Sequence, residues 1–183
     1  MVASPSNEPP LTPLMQALLQ AADCLVSPAP IPHLLLVAPL QPRVQPAAHA
    51  ALSALHHEGW LSAPGPQLAL LTAQSHAFLA RQRSDEAIQT MVVQGLCLSV
   101  TRLIKARDAT LLAQLAPHLL AMTAAWDPRS DRYAISLNLT TSTYLTSCGQ
   151  TTEAQPYLER AIALDQALGL GMTRPPRRRW GWW

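Results

Sequence analysis

The sequence predicts a mainly α-helical protein built in two parts, and three observations carry that expectation. Apolar residues make up 49% of the 183-residue chain and are dominated by Leu and Ala, which favour helix over sheet. Across most of the chain they recur at three- and four-residue spacing, the period of an amphipathic helix. The stretch ISLNLTTSTYLTSCGQTTEAQPYLERAIALDQAL at 135–168 reads as two helices reversed at a glycine. A chain of this length suits one compact domain, or a small domain with a helical extension.

Residues 1–10 are polar and proline-rich and are expected to be disordered. A bundle expected at 11–82 begins where Leu11, Leu14, Met15, Leu18, Leu19, Ala22 and Leu25 follow helical spacing. SPAPIP at 27–32 ends that helix, and IPHLLLVA at 31–38 predicts a short second helix entered through Pro32. After PLQPRVQP at 39–46, Ala47, Ala48, Ala51, Leu52 and Leu55 form the next helical face, with Gly59 placed to stop it. Two short apolar runs follow, Trp60-Leu61-Ser62 and Leu68-Ala69-Leu70-Leu71, around a Pro/Gly turn. They suggest a small hairpin, or wing. An ordinary loop is the other reading, because neither run is rich in β-branched residues.

From residue 73 onward every periodic stretch is helical. The segments 73–82 and 84–106 come first, the second carrying Ile88, Met91, Val92, Leu96, Val100 and Leu103 at helical positions. Asp108 is placed to cap a helix reaching Ala125, and WDPRSD at 126–131 turns the chain. The helical segment at 84–169 ends in the pair at 135–168. There Ser142 lies mid-way along the first helix, Gly149 at the turn, and Ala154, Leu158 and Ala161 on one face of the second. Pro156 falls near the start of that second helix, where a lost backbone bond costs least, and Gly169 and Gly171 terminate it. The tail at 170–183, ending RPPRRRWGWW, has no periodicity and is expected to be disordered.

Charge and cysteine usage narrow the function classes. The formal net charge is +2, but Arg174, Arg177, Arg178 and Arg179 lie in the tail. Setting those four aside leaves nine basic against eleven acidic residues, so the folded part offers no field for nucleic acid. The tail's arginines with Trp180, Trp182 and Trp183 could grip a membrane surface or single-stranded nucleic acid, but ten residues without a partner patch favour an unstructured end. Cys24, Cys97 and Cys148 are scattered without a CxxC and read as buried small residues of a reducing compartment. No apolar run is expected to cross a bilayer, and the N-terminus lacks the charged start and apolar stretch of a signal peptide, so a cytoplasmic location is expected.

The spacing of Ser142, Gly149, Ala154, Leu158 and Ala161 resembles the tetratricopeptide repeat of roughly 34 residues, in which small residues let two helices approach and a glycine reverses the chain. Such a unit cannot bury its apolar face alone and stacks on neighbours. The order of segments resembles a larger arrangement. SPAPIPHLLL, ALSALHHEGWLS, the hairpin, LLTAQSHAFLARQ, LAPHLLAM and then the repeat are similar to the region that follows the ATPase core in NB-ARC-type signal-transduction ATPases. That resemblance covers roughly 14–169 and implies a winged-helix domain followed by a helical linker and tetratricopeptide-type repeats. It also aligns His76, in Gln74-Ser75-His76-Ala77-Phe78, with the histidine of a Met-His-Asp motif that contacts the β-phosphate of bound ADP. Ser75 and Ala77 replace the motif's Met and Asp, and the alternative reading places His76 on a partly buried helix face without a ligand.

The chain has no GxxxxGK[ST], and its single lysine, Lys105, stands far from any glycine loop. No nucleotide or other cofactor is therefore expected to bind this chain alone; His76 becomes a nucleotide contact only where an ATPase core is supplied in trans. His49, His56, His57 and Glu58 suggest a metal site at first sight. However, His49 and His56 are two helical turns apart and no second cluster completes four ligands, so no metal is expected. His33 and His118 each follow a proline and read as local structure. The run TTSTYLTSC lacks the GxSxG turn of a nucleophile and reads as close helix packing, and Cys148 as a packing residue. The expectation is a non-enzymatic protein-interaction module, a repeat arm whose groove takes a protein partner, with an ATPase core in trans as one such partner. The alternative, from another class, is a winged-helix DNA-binding regulator.

Overall fold

The computed structural model describes residues 11–25, 29–83, 85–171 and 173; residues 1–10 and nearly all of the Arg/Trp tail, both expected to be disordered, lie outside them. The described chain is mainly helical. Helix α1 (Pro13–Cys24) starts at Thr12, whose hydroxyl accepts from the Met15 amide at 3.2 Å, with Pro13 at the first position where its missing N–H is no loss. Its buried face is Met15, Leu18, Leu19, Ala21 and Ala22.

The next stretch departs from expectation. Ile31–Pro32 form a short strand, β1, and only His33–Val37 are helical, as α2. The sequence could not show β1, because two residues have no period. Helix α3 (Gln45–His57) follows and ends at Gly59, whose φ of 78° only glycine adopts at little cost. Strands β2 (Leu61–Ser62) and β3 (Leu68–Leu71) then form the hairpin, so the loop alternative does not hold. Strand β3 lies centrally between β1 and β2, antiparallel to both, with Ile31 opposite Ala69 and Leu61 opposite Leu71. Gln67 closes the turn in the left-handed region at φ 59°.

Helix α4 (Ala73–Leu79) is fastened to the start of β2. Thr72 caps it and donates its hydroxyl to the carbonyls of Gly59 at 2.9 Å and Trp60 at 3.1 Å, and the buried Ser75 hydroxyl also donates to the Trp60 carbonyl. Beyond it run α5 (Glu86–Ala106), α6 (Ala109–Ala125), α7 (Arg132–Ser147) and α8 (Thr151–Leu168). Asp108 caps α6 by accepting from the Leu111 amide at 3.0 Å.

One buried core runs from Met15 in α1 to Leu137 in α7 and includes residues on either side of 82–84. Helix α5 enters it through Val92, Val93, Leu96 and Val100 and packs against α1 and α2. Among the described helices, α5 alone is long and apolar enough, at a mean hydropathy of 1.4, to cross a membrane, where the sequence reading expected none. Part of its apolar face is in the core, Leu98 is exposed, and a polar set (Gln89, Gln94, Arg102) is interleaved.

Two contacts hold the helical arm to the first bundle. Gly95, in the middle of α5, meets the ring of Pro39, and an added Cβ there would lie 2.2 Å from the Pro39 Cγ. A mid-helix glycine costs about 1 kcal/mol relative to alanine, so its presence is explained by this close approach. His118 of α6 is fully buried, with Nδ1 2.9 Å from the Leu25 carbonyl and Nε2 3.1 Å from the Pro30 carbonyl. It ties α6 to both the end of α1 and the start of β1. The expectation that His118 is merely local structure is thereby corrected: its partners are about ninety residues away.

Gly95→Ala is expected to destabilise the protein by about 1–3 kcal/mol in urea unfolding despite its better helix propensity, because the Pro39 ring cannot yield. His118→Leu preserves most of the volume but removes the buried ring nitrogens that stand against two carbonyls; the expected loss is about 2–4 kcal/mol by the same measurement.

Candidate functional site

The C-terminal hairpin is assembled from an acidic cap, a glycine turn and a row of small residues. Asp131 caps α7 by accepting from the amides of Tyr133 at 2.8 Å and Ala134 at 2.9 Å, and from Arg129 Nε at 2.7 Å. Burial alone would raise the Asp131 pKa, but these three hydrogen bonds outweigh it and hold the carboxylate below its usual range. Arg129 also reaches Glu86 at the start of α5 at 2.8 Å and lies over the Trp126 ring at 4.2 Å, so the turn between α6 and α7 is pinned to α5. At the other end Gly149, with φ 81°, reverses the chain, and the Gln150 amide closes the turn on the Leu145 carbonyl at 2.9 Å.

Helices α7 and α8 pack closely along their length. Ser142, Ala154 and Ala161 are buried, as are Thr140 and Thr141. The Thr141 and Thr123 hydroxyls meet at 2.8 Å between α7 and α6, and Asn138 donates back to the Ala134 carbonyl at 2.8 Å, so the buried polar atoms of this seam are partnered. Leu158 does not share the burial of its neighbours. It is 43% exposed, whereas Ala161 is 0% exposed. At roughly 100° per residue Leu158 points about 60° away from Ala161, to a side of α8 that no further helix covers among the described residues. Pro156 sits six residues into α8 on an exposed position rather than at its first turn.

The end of α8 also differs from expectation. Gly169 caps it at φ 65°, and Asp165, 3% exposed, accepts from the Thr173 amide at 2.8 Å and hydroxyl at 2.5 Å. Thr173 is therefore fastened to α8, where the sequence reading expected disorder from 170. Leu168 and Leu170 are exposed at this end, and Leu158 is exposed midway along the helix.

Where the C-terminal end of α5, the start of α6 and the end of α7 meet lies a cavity of about 470 Å³, lined by Ile104, Arg107, Leu112, Tyr144, Ser147 and Cys148. Burial, then a hydrogen bond with the Cys148 thiol, raises the Tyr144 pKa. Cys148 is exposed rather than a packing residue.

His76 is exposed on α4, between the buried Ser75 and the exposed Ala77. His49 is exposed on α3. The two histidines that do come together are His33, at the start of α2, and His56, at the end of α3, with Nε2 atoms 3.2 Å apart and ring centroids 5.4 Å apart. Burial lowers the His33 pKa, and the electrostatic influence of His56 and His49 lowers it further, against a backbone hydrogen bond at Leu68 that raises it. Sequence reasoning missed this pair, since twenty-three residues separate its members and only the crossing of the strand hairpin brings them together.

No protein-family model, curated protein or solved structure matches this chain.

Ala161→Leu is expected to force α7 and α8 apart at a cost of about 1–3 kcal/mol. Leu158→Asp, on the uncovered side of the same helix, is expected to change stability by about 0.5 kcal/mol or less. Thermal or urea unfolding of the two variants side by side checks the pair.

Proposed function

We propose that this chain is a non-enzymatic protein-interaction module, in which a winged-helix-like bundle carries a helical arm ending in one tetratricopeptide-type hairpin. The carrying observation is the asymmetry of α8. Its inner side is closed on α7 through Ala154 and Ala161, while Leu158 stands exposed midway along the helix and Leu168 and Leu170 stand exposed at its C-terminal end. In a stacked-repeat architecture that outer side is where the next hairpin or a partner helix seats. The helix–strand–helix–helix–strand–strand order of the first bundle supports the winged-helix part of the reading.

The partner proposed is a protein, and an ATPase core of the NB-ARC type acting in trans is the case in which His76, exposed on α4, becomes a phosphate contact. The DNA-binding alternative gains no support. Helix α3, which stands where a recognition helix would, has the sequence QPAAHAALSALHH and carries no lysine or arginine.

A photo-crosslinking residue placed at position 158 of the full chain, with another at the exposed Arg83 position as control, tests this reading in cells of the source organism. A discrete crosslinked protein at 158, absent at 83 and lost when Leu168→Asp is added, is the expected outcome. Equal crosslinking from both positions, or none from 158, overturns it.

A further inference from the structure

The His33–His56 pair lies outside the hairpin and has no part in the interaction proposed above. His56 Nδ1 is 3.2 Å from the Leu61 carbonyl. A carbonyl oxygen only accepts, so Nδ1 carries the hydrogen, and the Nε2 of the neutral ring presents a lone pair. That lone pair faces His33 Nε2 at 3.2 Å. A histidine whose Nδ1–H is fixed by a backbone carbonyl while Nε2 is left to coordinate is the usual arrangement of a metal-ligating imidazole. The separation has a meaning of its own. Two imidazole nitrogens at about 2.0–2.1 Å from a tetrahedral zinc ion stand about 3.3 Å apart.

From this geometry we infer that His33 and His56 form a two-histidine site for a borderline divalent metal ion of the zinc, nickel or copper type, held between the start of α2 and the end of α3. His33 reaches the metal in the tautomer that carries its proton on Nδ1. His33 also lines a cavity of about 390 Å³ together with His49, Gln67 and Arg102. Because β2 supplies the Leu61 carbonyl, a bound metal would tie α2, α3 and the strand hairpin at one point.

The test is a titration of the full chain, stripped with a chelator, with Zn²⁺ alone in competition with a chromogenic indicator. One equivalent is expected to bind saturably, and the double variant His33→Gln, His56→Gln is expected to lose affinity by about tenfold or more. The variant His49→Gln, His57→Gln is expected to bind as the parent does, which separates this site from the other surface histidines. Circular dichroism without metal reports whether the first variant folds. Should it not, imidazole nitrogen NMR of the unmodified chain decides, with Zn²⁺ expected to move the Nε2 resonances of His33 and His56 and of no other histidine. Absence of saturable binding up to about 100 µM Zn²⁺, unchanged affinity in the first variant, or resonance shifts confined to His49, His57 or His76 would each overturn the assignment.

Discussion

The fold depends on a single buried imidazole more than on any one helix. His118 stands fully buried in α6 with a backbone carbonyl opposite each ring nitrogen, those of Leu25 and Pro30. Both carbonyls lie near the gap between α1 and β1, where neither helix nor sheet supplies a donor, and a buried carbonyl without a donor is costly. His118 stands against both, and so holds Leu25 and Pro30 close to α6. Pro30 immediately precedes β1, which completes the sheet, and His33 follows at the mouth of α2.

The same reasoning explains α5. By length and composition alone it could cross a membrane, yet its buried residues face α1, α2 and α7 within one core. The Gly95 notch over Pro39 shows how close that packing is, because a proline ring is rigid and only a residue without Cβ lets the helix axis approach it. Stability is therefore shared across the bundle and the arm, so damage at either contact is felt in both. The exposed side of α8 can be altered more safely, since the hairpin's own small cluster of Ala134, Ile135, Ala161 and Leu164 is separate from that core.

Periodic and punctuating features were legible in the sequence. Asp108, Gly59, Gly149 and Gly169 all mark helix ends where their chemistry places them, and the strand hairpin stands on its Pro/Gly turn. What escaped was set by distance or by geometry finer than a period. Strand β1 is two residues long and exists only because β3 offers it a ladder. His118 finds its partners about ninety residues back, and His33 meets His56 across the sheet, with no spacing rule to announce either. Leu158 failed for the opposite reason. The face was assigned within about a sixth of a turn, which suffices for a buried helix but not for one covered on a single side.

That last point bears on function. Isolated exposed leucines are ordinary on soluble proteins, so exposure of Leu158, Leu168 and Leu170 carries weight only through position. A helix that closes a stack normally turns a polar face outward, and α8 does so in part, through Gln155 and Glu159, which bond each other at 2.7 Å. Leu158 lies beside that polar pair, and past Gly169 Asp165 holds Thr173 against the helix end. On the proposed reading of α8 as a partner-binding edge, an end ordered beforehand lowers the entropy lost on association.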